Sequence, residues 1–297
     1  FYRFDEAEVK EFGMPIYGSL YPEYSTFKYP KAGEKNAVVQ ILIYDFSIKK
    51  LVNADIGAET NQYIPRIKWT ANSNSLSCQR LNRLQNKLDL LLIDSNTGNS
   101  KVILSESSNT YIDVTNDLTF LTNNKSFIWS SELGGFNHLY HYSLEGKMLN
   151  QITTGNWEVI AYKGFDEVSQ TLYFTAAQSS SINKDVCKVK LDGTSFKVIS
   201  EKTGYNEPNF SKTFDFYINT YSNANTPSEF TLNDNNGKPV RSLEENSALK
   251  TKLKEYRLSS KEFIVIKTPD GTELNTWMIK PVSFDASKKY PVIFVIY

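Results

Sequence analysis

Apolar and polar residues alternate with period two along most of the chain, and polar turns break the alternation at regular intervals, as in half-buried strands joined by hairpins. Four segments share one layout of strand, tight glycine-containing turn and second strand: KLDLLLIDSNTGNSKVILSE, HLYHYSLEGKMLNQITTG, DVCKVKLDGTSFKVISE and EFTLNDNNGKPVRSLEE. Their turn glycines, Gly98, Gly146, Gly193 and Gly237, follow at intervals of 48, 47 and 44 residues. Glycine suits such turns because they need a positive φ. An earlier hairpin, VVQILIYDFSIKKLVNADIG, has the same layout without the glycine. Two more strands lie between successive hairpins, for example Trp157–Phe165 and Thr171–Gln178.

Four strands per repeat of about 40–50 residues is the signature of a β-propeller blade. The pattern predicts four full blades, Tyr63–Ser107, Tyr111–Gly155, Trp157–Lys202 and Tyr205–Asn246. A partial blade precedes them, with strands at Phe1–Val9, Asn36–Ser47 and Lys49–Ile56. Residues 10–35 interrupt it with six Tyr or Phe side chains and three prolines (Phe12, Tyr17, Tyr21, Tyr24, Phe27, Tyr29; Pro15, Pro22, Pro30). An insertion of that length is expected to serve a purpose rather than form a plain hairpin loop. The propeller portion is thus residues 1–246.

Beyond Asn246 the period changes. Leu249, Leu253 and Tyr256 recur at helical spacing, which predicts a linker helix over 247–258. EFIVIKTPDGTELNTWMIKP reads as a hairpin around Pro269-Asp270-Gly271, and Tyr290–Tyr297 as a strand buried on both faces. Residues 259–297 are therefore expected to begin a second domain. The chain opens inside one strand and closes inside another, so a longer parent polypeptide is expected.

The 33 Lys and Arg balance 33 Asp and Glu over 297 residues, with no clustered excess of positive charge for a nucleic-acid or polybasic membrane surface. No apolar run approaches the 18 residues that would span a bilayer. Aromatic residues reach 13%, which suits pleated, half-buried strands.

Candidate chemistry is sparse. His138 and His141 lie three apart in a strand, so they face opposite ways and cannot share an ion. Cys187 alternates with Val189 and Leu191, as a buried inert thiol does, and Cys78 is expected to be free as well. Glu244 and Glu245 could hold a cation or an amine, but they end a strand at a polar turn and read as a solvated pair. There is no G-x-S-x-G nucleophile elbow, P-loop, dinucleotide fingerprint or calcium loop. Neither a metal nor an organic cofactor is implied.

Several stretches taken together resemble the dipeptidyl peptidase IV branch of the prolyl oligopeptidase family of serine peptidases, with a likeness to bacterial members. They are YPKAGEKN (29–36), YIPRIKWT (63–70), LNRLQN (81–86), GNWEVI (155–160), LEENSAL (243–249) and FDASKKYPVIFVIY (284–297), in order along nearly the whole chain. The resemblance implies part of an eight-bladed propeller followed by the first strands of an α/β-hydrolase domain. The implied activity is release of dipeptides from peptide N-termini after Pro or Ala, in a periplasmic or secreted enzyme. It also implies that the catalytic Ser, Asp and His lie beyond Tyr297, and that the paired Glu residues holding the substrate amine lie before Phe1. That role is not transferred to Glu244 and Glu245.

One residue carries over: Tyr297 stands where the family has a tyrosine that donates to the oxyanion. Some members place an Arg near the substrate from the stretch matching Tyr111–Thr119, where this sequence has none. The 10–35 arm matches a projection that helps to pair two subunits. By itself the chain is expected to be inactive. The rival reading is a non-catalytic propeller that binds a glycan or a protein, since fold alone does not fix function.

Overall fold

The computed structural model describes residues 1–295, which form a nearly all-β, antiparallel structure of propeller blades. The first sheet has three strands, in the order β1 (Tyr2–Asp5), β4 (Val38–Asp45), β5 (Lys50–Asn53). Between β1 and β4 rises a ribbon of two strands, β2 (Glu11–Ile16) and β3 (Glu23–Lys28). Four sheets follow, each with four strands in sequence order. The first holds β6 (Gln62–Trp69), β7 (Ser75–Asn82), β8 (Lys87–Asp94) and β9 (Ser100–Ser107). The next holds β10 (Thr119–Phe120), β11 (Ser126–Ser131), β12 (His138–Ser143) and β13 (Met148–Gln151). Then come β14 (Val159–Asp166), β15 (Thr171–Ala176), β16 (Asp185–Lys190) and β17 (Lys197–Val198). The last holds β18 (Tyr205–Phe210), β19 (Phe216–Asn223), β20 (Thr226–Asp234) and β21 (Pro239–Glu244). A short helix, α1 (Ser247–Lys254), leads to the hairpin β22 (Lys261–Lys267) and β23 (Glu273–Ile279).

Two compact units make up the chain: Phe1–Ser130 with Tyr140–Asn150, and Ser131–Leu139 with the residues from Gln151 onward. In the first, Ile41, Ile43 and Val52 pack on Ile64, Leu76, Cys78, Leu91 and Ile93, face to face between consecutive sheets. Leu81, Leu88, Leu90 and Ile103 repeat this against Leu118, Phe127, Trp129, Tyr140 and Tyr142. In the second unit, Tyr173, Val186 and Ile199 meet Tyr217, with Phe210 and Phe214 at the margin. Middle strands are thus covered on both faces. That is why β11 and β15 are buried at every position, while the outer β21 is exposed at every position.

The turn glycines have φ of 80°, 86°, 85° and 89° at Gly98, Gly146, Gly193 and Gly237. They do more than turn the chain. A Cβ would meet Asn53 O at 2.2 Å from Gly98, Ile103 O at 2.2 Å from Gly146 and Ile199 O at 1.9 Å from Gly237. Each of these three turns therefore lies on the outer strand of the preceding sheet, or on the residue just past it. Gly193 keeps a looser 3.3 Å from Gln151 O. The turn without glycine uses Lys49 at φ 53°.

Several expectations change. The strand expected over Phe1–Val9 ends at Asp5, whose carboxylate accepts the Ala7 N–H at 3.0 Å while Val9 N–H bonds to Glu6 O. The 10–35 insertion, for which the sequence predicts no strands, forms a two-stranded ribbon pairing Phe12 with Phe27 and Pro15 with Tyr24. The strand expected from Trp157 starts at Val159, because Trp157 turns aside to stack on Phe196 and Phe174. The helix stops at Lys254, so Tyr256 lies beyond it, and none of its residues is buried. Residues 290–295 of the expected buried strand are not in a strand, and Val292–Val295 are exposed. No described strand pairs with them, and an apolar strand is buried only by its neighbours.

Candidate functional site

In the second unit, charged side chains meet between the first strands of adjacent sheets. Lys163 on β14 sits in a register shift between Tyr162 and Gly164, a bulge that re-aims its side chain. Glu207 on β18 accepts hydrogen bonds from both Lys163 and Lys184, the residue before β16. Lys184 also lies 4.7 Å from the centre of the Tyr205 ring and donates to its hydroxyl at 3.3 Å. Behind it, Asn206 Nδ2 donates to Lys184 O and Lys202 O, and Asn206 Oδ1 accepts from Asn219. Burial works to raise the Glu207 carboxyl, but the two lysines outweigh it and hold the group below its ordinary value. Burial likewise opposes the charge on Lys184, and Glu207 and Tyr205 overcome it, raising the ammonium. Both ends of the pair are thus charged at neutral pH.

This carboxylate is already engaged. One ammonium sits on each of its oxygens, so the cluster ties two sheets together. Sequence reading passed over it because its members lie up to 44 residues apart. A signal was present, however. Lys163 and Glu207 each stand thirty residues before the turn glycine of their own sheet, as Lys68 and Asn116 do before Gly98 and Gly146. The repeat marks one position on, or just before, the first strand of each four-stranded sheet.

The residues singled out from sequence do not converge. His138 is buried, with Nδ1 3.0 Å from Thr153 Oγ1, Nε2 3.0 Å from Gly155 O and its ring edge-on to Trp157. His141 faces the other way, 3.4 Å from Asn150 Oδ1, and burial lowers its pKa. No group of three or more His, Cys, Asp or Glu able to hold a metal occurs among the described residues. Cys78 and Cys187 are free and buried. Burial pushes the Cys78 thiol up to about 12, and the Cys187 thiol up as well, so neither is a nucleophile at neutral pH. Glu244 is exposed and accepts only the Asn246 N–H (2.5 Å) among the bonds found, and Glu245 is exposed beside it. Tyr297 lies outside the described residues.

The arm is the other built feature. Its base is tied down by Lys10–Glu34 and Glu8–Lys35 ion pairs, both 2.5 Å, and by Arg83 Nη2 donating to Glu34 O at 3.2 Å. Phe12, Phe27 and Tyr29 pack together above it, with ring centres 5.7–6.0 Å apart. Its tip is bare: Tyr17, Leu20 and Tyr21 are 81%, 91% and 79% exposed. Among the described residues no helix is long and apolar enough to cross a membrane.

Comparison with known proteins gives this architecture a family. The crystal structure of Porphyromonas gingivalis dipeptidyl peptidase 4 matches with a TM-score of 0.91 and 38% identity, over 98% of this chain and 41% of that one. A Bacteroides ovatus structure described as a dipeptidyl aminopeptidase IV matches with a TM-score of 0.86 and 27% identity, over 98% and 44%. Among curated relatives, dipeptidyl peptidase 4 of Trichophyton equinum is 29% identical over 99% of this chain and 40% of its own length. The chain therefore spans about two fifths of the relatives it matches. The profile of the dipeptidyl peptidase IV N-terminal region matches residues 1–228, and the chain belongs to that family.

Proposed function

We propose that this chain is the propeller portion of a dipeptidyl peptidase IV-like serine exopeptidase that removes X-Pro or X-Ala dipeptides from peptide N-termini. The observation that carries the reading is the backbone agreement with the Porphyromonas enzyme along nearly the whole chain. In such a parent, a serine attacks the scissile carbonyl with histidine as base and aspartate orienting it. Those groups belong to the share of the relatives' length that this chain does not span. The blades restrict access to short or unstructured peptides. Residues 259–297 open the hydrolase domain, and Tyr297 donates its hydroxyl to the oxyanion. The enzyme works in the periplasm or outside the cell, as a homodimer paired through the 10–35 arm. Support for pairing comes from the ribbon itself: two strands are marginal alone, and its apolar tip needs a partner surface.

The test is made on the longer parent. Its reading frame past Tyr297 should encode G-x-S-x-G followed by Asp and then His. Tyr297→Phe should lower kcat by about 10²-fold or more with KM nearly unchanged, because the hydroxyl acts once charge develops on the carbonyl oxygen. A stop codon within about 50 residues would leave a binding propeller. Wild-type kcat in the mutant would remove Tyr297 from the mechanism.

A further inference from the structure

Arg66 and Lys68 stand two positions apart on β6, so they project from the same face of the strand. Neither forms an ion pair among the described residues. Arg66 donates from Nε to Asn116 Oδ1 (2.5 Å) and from Nη1 to Pro65 O (2.7 Å), which leaves Nη2 without an acceptor among the described residues. Lys68 gives one of its three protons to Leu118 O at 2.5 Å. Burial lowers the Lys68 pKa, and the charge of Asp117 opposes that. Both side chains line a cavity of about 210 Å³ that Ser77, Gln79, Thr115 and Asn116 complete. This is smaller than the ~300 Å³ at which sites for drug-sized ligands begin.

The floor of the cavity carries the second observation. Ser77 and Gln79 are buried, and Ser77 Oγ is used on Lys68 O at 2.7 Å. Gln79 Nε2 reaches Thr115 O only at 3.5 Å, the limit of a hydrogen bond, and Gln79 Oε1 is covered with no partner at all. Covered acceptors are nearly always matched with a donor, so this loosely held amide marks a place for one. The cavity therefore offers two cations to an anion and, beside them, one acceptor to an N–H. A phosphate or sulfate uses only the first. A carboxylate with an amide N–H on the adjoining carbon, which is the last residue of a peptide, uses both.

We propose that this cavity binds the free C-terminal carboxylate of a short peptide. The carboxylate lies between Arg66 Nη2 and Lys68 Nζ, and the terminal amide donates to Gln79 Oε1 once that side chain turns toward it. The assignment rests on β6, β7 and the loop before β10, and does not depend on the peptidase reading. Calorimetric titration of this chain with acetyl-trialanine acid, its C-terminal amide and inorganic phosphate tests it. The acid should bind at least tenfold more tightly than the amide. Arg66→Gln and Lys68→Gln should each remove most of that difference. Gln79→Leu should weaken the acid peptide and leave phosphate unchanged. Arg66 and Lys68 are exposed, so their variants decide the carboxylate's role even if Gln79→Leu does not fold. Equal binding of acid and amide, or binding indifferent to both cation variants, overturns the proposal. Phosphate that displaces the peptide at equal affinity reduces the cavity to an oxyanion site and overturns the peptide assignment.

Discussion

At the scale of single residues, the turn glycines separate two effects that usually travel together. A left-handed backbone costs a residue with a Cβ about 1–2 kcal/mol. Gly193 has φ 85° and meets Gln151 O and Ile152 O at 3.3 Å, a tight contact that a shift of a few tenths of an ångström relieves, so Gly193→Ala should lose about that much or slightly more. Gly237 has φ 89° but only 1.9 Å to Ile199 O, a backbone atom that cannot step aside without moving its strand. Gly237→Ala should therefore cost roughly 3 kcal/mol or more, in the range of overpacked cores. Urea unfolding of the two variants checks this, and equal losses would mean that the close approach carries no energy. The glycines were legible in the sequence as turn residues. Their second role was not, because it depends on a carbonyl roughly 40 residues upstream.

Glu207 supplies a pH test. Its carboxyl lies below the ordinary 4.5 because Lys163 and Lys184 outweigh burial, so its stabilising effect is full above 4.5 and fades as pH falls through the lowered folded value. The raised Lys184 ammonium contributes below 10.5 and loses its share as pH rises through its own folded value. The Glu207 side chain is 39% exposed, so solvent screens the pairs and Glu207→Gln should cost about 0.5–1.5 kcal/mol at pH 7. That gap should close at acid pH, once the wild-type carboxyl is protonated too. Denaturant melts at pH 7 and in the acid range decide it; a gap independent of pH would show that the charge is not what matters.

At the scale of elements, what the sequence revealed was local and periodic. Hairpins such as β8–β9 and β16–β17 join neighbours in the chain, so alternation and a turn residue identify them. The arm was harder to read. Three prolines argue against strands, yet Pro15 lies on a two-stranded ribbon whose outer edges have no partner, where a missing N–H breaks no ladder. The cross-strand pair of Phe12 and Phe27 then holds the register. The run at 290–295 misled in the opposite direction, since apolar composition reports a need for burial and only neighbouring strands can meet it. For the arm, removal of Pro15–Phe27 takes away the exposed tip and leaves the ion pairs Lys10–Glu34 and Glu8–Lys35 at its base. In the full-length parent this deletion should halve the mass seen by light scattering while circular dichroism stays β-rich. An unchanged mass would make the ribbon a local feature with no part in pairing.

At the scale of the whole molecule, five blade sheets supply scaffold and surface, and the described residues hold no nucleophile–base pair. There is no G-x-S-x-G in the 297 residues, and the two histidines lie on opposite faces of β12. The hydroxyl beside His138 is that of Thr153, which is 2% exposed and already accepts the Leu139 N–H at 2.9 Å. A nucleophile must reach its substrate, and this one is sealed. The histidine's other nitrogen meets the carbonyl of Gly155 rather than a carboxylate, so the third member of a triad is missing as well. Glu207, the carboxylate joining the first strands of two sheets, has its charge balanced by Lys163 and Lys184. The family was legible because its motifs are scattered along the entire chain, whereas the chemistry was not, because these blades do not carry it. The purified 297-residue chain should therefore release no chromophore from a Gly-Pro chromogenic substrate under conditions in which the longer parent turns it over. Release that persists after contaminating proteases are removed would place a nucleophile within these blades and overturn the division of labour between scaffold and catalytic domain.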